Sequence, residues 1–231
     1  MALRFSKSSI GDYNNCPRKY YLKKFTLMGR QPMQNEPDYL TNGKRVHTYA
    51  ENYNRGIEDP VDNENEFVIT NVANFHCILN SFGLDRAKYA EMKHYDEVLD
   101  LVGVVDAIYE VIVANPKTEE FVTEYWLIDY KTGKYRESKK TEMRFELYLY
   151  VYLAEKFMDI KIDKIGMFYT QFPECSFVEK MARKKIDSNV LKFQNAVQKI
   201  RSLDFHRIEG PLCKHCEFIY CCESYKDEII D

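Results

Sequence analysis

Apolar and polar positions change period along the chain, and the changes mark out its elements. Ser6 or Ser8 predicts a helix N-cap, and SIGDYNNCPRKYYLKK behind it turns Ile10, Tyr13, Tyr20 and Tyr21 inward, with Pro17 near a break. Residues 28–38, MGRQPMQNEPD, are polar and proline-bearing and predict a loop. Helical patterns follow over about 39–55 and 67–82, separated by a polar stretch at 56–66. Beyond them β-branched and aromatic residues take over. Segments 90–95, 98–102, 104–113 and 121–130 predict strands, with Asn115, Pro116 and Lys117 as a hairpin turn between the last two. RFELYLYVYLAEKF at 144–157 predicts a helix packed on that sheet. Residues 165–171 predict a further strand, 189–203 an amphipathic helix, and 211–225 a cysteine-bearing tail. The succession is that of an α/β protein with a mixed central sheet flanked by helices.

A length of 231 residues fits one elaborated domain, 1–231, with a helical part to about 90, a sheet core over 90–171 and the tail from 205. No run approaches the roughly 20 apolar residues of a membrane span, and the opening MALRFSKSSIGDYNN lacks an apolar signal core. Cytoplasmic residence is therefore expected, and there seven cysteines point to metal ligation and buried thiols rather than disulfides. A net charge of -3 gives no global attraction to nucleic acid, so any such binding must use local clusters. Three stand out: Arg18, Lys19, Lys23, Lys24 and Arg30; Lys131, Lys134, Arg136, Lys139, Lys140 and Arg144; and Lys180, Arg183, Lys184 and Lys185. Each also suits an ordinary solvated face. Eighteen tyrosines and fourteen phenylalanines supply rings for stacking on unpaired bases, although most belong to the core.

Cys213, Cys216 and Cys222 form a CxxC followed by five residues and a further cysteine, one ligand short of a closed four-thiolate site. Cys16 can supply the fourth and so join the two ends of the chain. Zinc and an iron-sulfur cluster both fit such a site. Cys221 adjoins Cys222 as a competitor, whereas Cys77 and Cys175 have no partner at useful spacing and read as buried thiols.

Between these ends, Asp106 closes the apolar run Gly103-Val104-Val105, and Asp129 closes Trp126-Leu127-Ile128, followed by Tyr130 and Lys131. An aspartate ending an apolar strand is costly to bury unpaired, so two on adjacent strands predict a shared Mg²⁺ or Mn²⁺. Lys131, two positions past Asp129, shares its face and places an ammonium where phosphodiester hydrolysis needs one. Taken singly, Asp106 also fits a turn cap, and Asp129 with Lys131 a surface ion pair.

These features together resemble the PD-(D/E)xK nuclease superfamily, in the branch of the RecB and AddB nuclease domains and the CRISPR-associated RecB-like exonucleases that carry an iron-sulfur cluster. The resemblance spans nearly the whole chain. It rests on CPRKYYLKK around Cys16, on Gly43 to His47 as GxxxH, and on Gly103 to Asp106 as GxxD. Asp129 to Lys131 as DxK and the cysteine tail complete it. It implies a restriction-endonuclease-like core. It further implies that His47, Asp106, Asp129 and the Tyr130 carbonyl hold a divalent cation, and that Lys131 acts on the attacking water or the transition state. A structural [4Fe-4S] cluster on Cys16, Cys213, Cys216 and Cys222 is implied as well, tying the ends beside the site, with zinc as the alternative.

The branch carries QxxxY after the DxK strand, where this chain has Glu146 and Tyr150. Glu146 cannot donate hydrogen bonds to phosphate or base; Tyr150 can stack or hydrogen-bond. With Arg18, Lys19, Lys23 and Lys24 these are the candidate DNA contacts. Glu91 is a further acidic candidate, able to approach the cation through water and equally suited to an exposed strand position. The implied activity is that of a metal-dependent exonuclease on single-stranded DNA or DNA ends, with endonucleolytic cleavage also open, alongside repair, replication or CRISPR adaptation proteins. The alternatives are a DNA-end-binding adaptor using the same fold and, more weakly, an RNA nuclease. The chain carries no GxxxxGK[ST] motif, so unwinding would come from another protein.

Overall fold

The computed structural model describes residues 4–26, 38–115, 119–211 and 213–224. All of the loop expected over 28–38 except Asp38 lies outside these residues, as do Pro116, Lys117 and Tyr225. In chain order the elements are α1 (Lys7–Asn15), α2 (Pro17–Phe25), α3 (Asp38–Arg55), α4 (Glu66–Ser81), β1 (Tyr89–Asp96), β2 (Leu101–Ala114) and β3 (Phe121–Lys131). There follow α5 (Lys140–Met158), β4 (Ile162–Tyr169), β5 (Phe177–Lys180), α6 (Lys184–Arg201) and α7 (Ile219–Ser224). The chain divides into two compact units, Asn35–Val190 and the joined end segments Met1–Gln34 and Leu191–Asp231. Among the described residues no helix is long and apolar enough to cross a membrane.

The larger unit holds a five-stranded sheet in the order β1-β2-β3-β4-β5, antiparallel except where β3 meets β4. A parallel pair needs a crossover, and α5 provides it. The α/β class with a mixed, helix-flanked sheet is the expected one. Ala50 of α3 and Phe75, Ile78 and Leu79 of α4 pack with Ala107, Tyr109, Ile128, Tyr130 and Phe168 on one face. Leu147, Tyr148, Val151 and Ala154 of α5 pack with Ile108, Leu127, Ile165 and Met167 on the other.

Several elements depart from their expected bounds for local reasons. The strands expected over 98–102 and 104–113 are one strand, because Asp96 accepts the N–H groups of Val98 at 2.9 Å and Leu99 at 3.4 Å and turns that stretch into the β1–β2 connection. Gly103 does not break β2. A Cβ there would meet Leu153 Cδ1 at 2.7 Å and the Tyr150 ring at 3.1 Å, so the glycine admits α5 to the sheet. The short strand β5 was not expected; it pairs at the sheet edge, Phe177 opposite Met167.

In the end-segment unit, Ser6 rather than Ser8 caps α1, accepting the Ser9 N–H at 3.3 Å. Cys16 is extended between the helices, and Pro17 opens α2 where its missing N–H costs nothing. Tyr13 donates to the Asp204 carbonyl at 2.7 Å, and the Arg18 N–H to the His206 carbonyl at 3.1 Å. Phe205 contacts the rings of Tyr13, Tyr21 and Phe25. The two ends of the chain are thus held together by protein contacts of their own.

Candidate active site

Helix α3 turns Gly43, Val46, Ala50 and Asn54 inward at helical spacing. A Cβ on Gly43 would stand 2.8 Å from Thr132 Oγ1, so the glycine of GxxxH is what lets α3 approach the end of β3. His47, one turn along, then faces Tyr130 with ring centres 6.3 Å apart. Beneath it the Tyr130 hydroxyl is held by Asn54 Nδ2 at 3.0 Å and the Tyr109 hydroxyl at 2.7 Å, while Asn54 Oδ1 accepts the Ala87 N–H at 2.8 Å. Every polar group in that buried set has a partner, which fixes the strand end carrying the chemistry.

The β2–β3 ladder pairs Ala107 with Ile128. One step on, the Asp106 carboxylate accepts the Tyr130 N–H at 2.8 Å. Asp129 and Lys131 turn to the α5 side, and Lys131 Nζ lies 2.7 Å from Asp129 Oδ2 and 3.4 Å from Glu146 Oε2. Lys131 is thus the charge partner of the buried Asp129 Oδ2. Glu146 Oε1 accepts from the Tyr150 hydroxyl at 3.1 Å.

Glu91 adopts φ +50°, a left-handed conformation disfavoured for a side chain of its size inside a strand. There its carboxylate joins His47 and Asp106, one ligand atom from each lying within 4.8 Å of the others. His47 Nδ1 is 3.7 Å from Asp106 Oδ2.

Burial pushes the Asp106 and Asp129 carboxyls up to about 7 against the pull of Lys131, and they raise further with their acidic neighbours. Glu91 is likewise pushed up to about 7, by burial and then by Glu51. Burial lowers His47 and favours its neutral, ligating form. It also disfavours the Lys131 ammonium, but Asp129 and Glu146 outweigh it and hold the amine above its ordinary value. Carboxylates crowded around one lysine and a neutral imidazole form a site with negative charge to spare, the condition a cation relieves.

An open cleft of about 930 Å³ gives access, lined by His47 and Glu91 together with Tyr39, Lys44, Phe67 and Lys134. His47, Asp106, Asp129, Tyr130, Lys131, Glu146 and Tyr150 all fall in the larger unit; His47 lines the cleft, and the others are linked to one another by the contacts given above. Glu91 joins them, drawn in by its backbone conformation. Glu51, four residues after His47 on the same helix face, also lines the cleft, and that spacing was the signal for it. Arg18, Lys19, Lys23 and Lys24 belong to the end-segment unit. Lys19 pairs there with Glu217 at 3.3 Å and Lys23 with Asp12 at 2.9 Å, both exposed.

Cys16, Cys213, Cys216 and Cys222 line one small cavity of about 30 Å³ with Lys19, Leu22 and Arg207. No disulfide joins any cysteine among the described residues. Burial raises the Cys222 thiol, while Arg207 and Arg18 pull it back toward the thiolate. Among the described residues only His47, Glu91 and Asp106 form a trio close enough for a single ion, so the cysteine sulfurs share a cavity without converging on a point. Cys77 is exposed rather than buried, and Cys175 half-buried.

A model of the PD-(D/E)XK nuclease superfamily matches residues 63–223. Among solved structures, the fold is similar to that of a "Putative exonuclease" from Eubacterium rectale, with a TM-score of 0.56 and 12% identity over 94% of this chain and 87% of that one. No curated protein matches the chain.

Proposed function

This chain belongs to the PD-(D/E)XK nuclease superfamily, and from that premise we propose that it is a Mg²⁺- or Mn²⁺-dependent deoxyribonuclease acting on single-stranded DNA or DNA ends. The observation that carries the reading is that His47, Glu91 and Asp106 bring one ligand atom each within 4.8 Å of the others beside an open cleft that His47 and Glu91 line. The donors fit a hard cation: two carboxylates and one imidazole meet there, with the Asp129 carboxylate buried on the neighbouring strand. His47, Glu91, Asp106, Asp129 and the Tyr130 carbonyl would hold it. A bound divalent ion offsets charge on the scissile phosphate and acidifies water. Neutral His47 would offer it a ring nitrogen, Asp106 ties the ligand strands together through the Tyr130 N–H, and the Lys131 ammonium, held by Asp129 and Glu146, would face the phosphate. Tyr39, 68% exposed on the cleft wall, and Lys44 and Lys134 beside it suit a base and a backbone of unpaired DNA. Exonucleolytic cleavage is supported by the description of the Eubacterium rectale neighbour. A place in repair, recombination or CRISPR adaptation accords with the resemblance to the RecB-like branch.

The cysteine cavity is assigned to a structural [4Fe-4S] cluster held by Cys16, Cys213, Cys216 and Cys222. Support comes from four thiols drawn from both ends of the chain around one cavity. Anaerobically purified protein should be brown and contain iron and sulfide; a colourless protein with stoichiometric zinc would overturn the assignment.

Matched single-stranded DNA, blunt duplex and RNA incubated with the protein and Mn²⁺ test the substrate. Single-stranded DNA should be degraded, and chelation should stop it. DNA binding with no cleavage under any divalent ion would point to an end-binding adaptor, and preferential loss of RNA would contradict the DNA assignment.

A further inference from the structure

Glu146 stands on α5, whose neighbouring residues Leu147, Tyr148 and Val151 are fully packed against the sheet. Only 8% of it is exposed, and a carboxylate so buried needs partners. It has two. Oε1 accepts from the Tyr150 hydroxyl at 3.1 Å, and Oε2 lies 3.4 Å from Lys131 Nζ. Lys131 therefore sits between carboxylates from two elements, Asp129 on its own strand and Glu146 on the crossover helix. A lysine carries its charge on a flexible four-carbon stem. Asp129 alone, two positions away, sets a distance but not a direction; a second anchor from α5 sets the direction too. Gly103 completes the arrangement. Because it has no Cβ, the Tyr150 ring settles on β2, and the Tyr150 hydroxyl then orients the Glu146 carboxylate.

We infer that Glu146 is a positioning residue for Lys131, fixing the ammonium where the scissile phosphate arrives, with Tyr150 serving that carboxylate rather than the nucleic acid. The inference rests on the nuclease reading above for its effect on rate, and on geometry alone for the contact. A glutamine at this position keeps the shape and the acceptor for Tyr150 but withdraws the charge that holds the amine.

The test compares wild type, Glu146→Gln, Lys131→Ala and the double variant. With saturating Mn²⁺ and single-stranded DNA, Glu146→Gln should lower kcat about tenfold and leave KM for DNA within about twofold. The double variant should cleave at the rate of Lys131→Ala. Urea unfolding of the same four proteins reads the contact without activity: the midpoint loss in the double variant should be smaller than the summed losses of the singles. Should wild type fail to cleave while this coupling is present, the nuclease reading falls and the contact stands. Additive midpoint losses would overturn the inference. So would a Glu146→Gln effect confined to KM, or an effect equally large without Lys131.

Discussion

Asp106 Oδ2 on β2 accepts the main-chain N–H of Tyr130 on β3 at 2.8 Å. The bond joins the GxxD strand to the DxK strand at the residue whose carbonyl is proposed as a cation ligand. Asp106→Asn keeps an oxygen for the N–H and removes the charge, so activity should fall roughly 100-fold or more with the fold intact. Asp106→Ala also strands the Tyr130 N–H and should cost a further ~1–3 kcal/mol in urea unfolding. Equal stability of the two variants would show that the bond contributes nothing.

Stability should depend on pH through the buried carboxylates. Asp106, Asp129 and Glu91 are pushed up to about 7, so in metal-free protein they keep protons that the unfolded chain releases in the ordinary carboxylate range. Their contribution is fully present below that range and is lost as pH rises through about 7. The lowered His47 acts oppositely, its contribution falling away in acid. A cation binds the deprotonated carboxylates, so Mn²⁺ should raise Tm more at about pH 8 than at about pH 5.5. Thermal melts with and without Mn²⁺ check this, and equal shifts would contradict it.

Gly43 is a steric requirement. Its Cβ position lies 2.8 Å from Thr132 Oγ1, so Gly43→Ala should displace the Thr132 side chain or α3, costing about 1–3 kcal/mol in urea unfolding and lowering cleavage through His47. Adding Thr132→Ala should recover most of both losses. Failure of that rescue would place the role of the glycine elsewhere.

How much of this was legible in the sequence follows from the range of each interaction. Helices α3 and α4 and the β2–β3 hairpin announce themselves through periodicity, and the motif order marked His47, Asp106, Asp129 and Lys131. Glu91 was only half legible, because its place beside His47 depends on a left-handed backbone that no pattern of residue types displays. The same holds for β5, whose strand character comes from pairing with β4 rather than from its own four residues. Glu146 looked like a residue facing DNA. Its approach to Lys131 depends on how closely α5 packs, which Gly103 permits and the sequence of α5 does not encode. The cysteine spacing suggests how a metal could join the chain ends, but not that Phe205 packs on the α1–α2 tyrosines, because ring contacts this far apart in sequence leave no local pattern.

The cysteine cavity and the carboxylate site should be separable. Cys213→Ser should remove the brown colour and lower Tm, while Asp129→Ala should keep the colour and abolish cleavage. Visible absorbance and cleavage measured on the same preparations check the pair. Loss of colour in Asp129→Ala would mean that the two sites are one.

Cleavage of end-labelled single-stranded DNA by wild type, Asp129→Ala and Lys131→Ala with Mn²⁺, each protein first matched for Tm, tests the central claim most directly. Wild type should degrade the strand and both variants should fall by roughly 100-fold or more. Two folded variants that cut as fast as wild type would contradict the account.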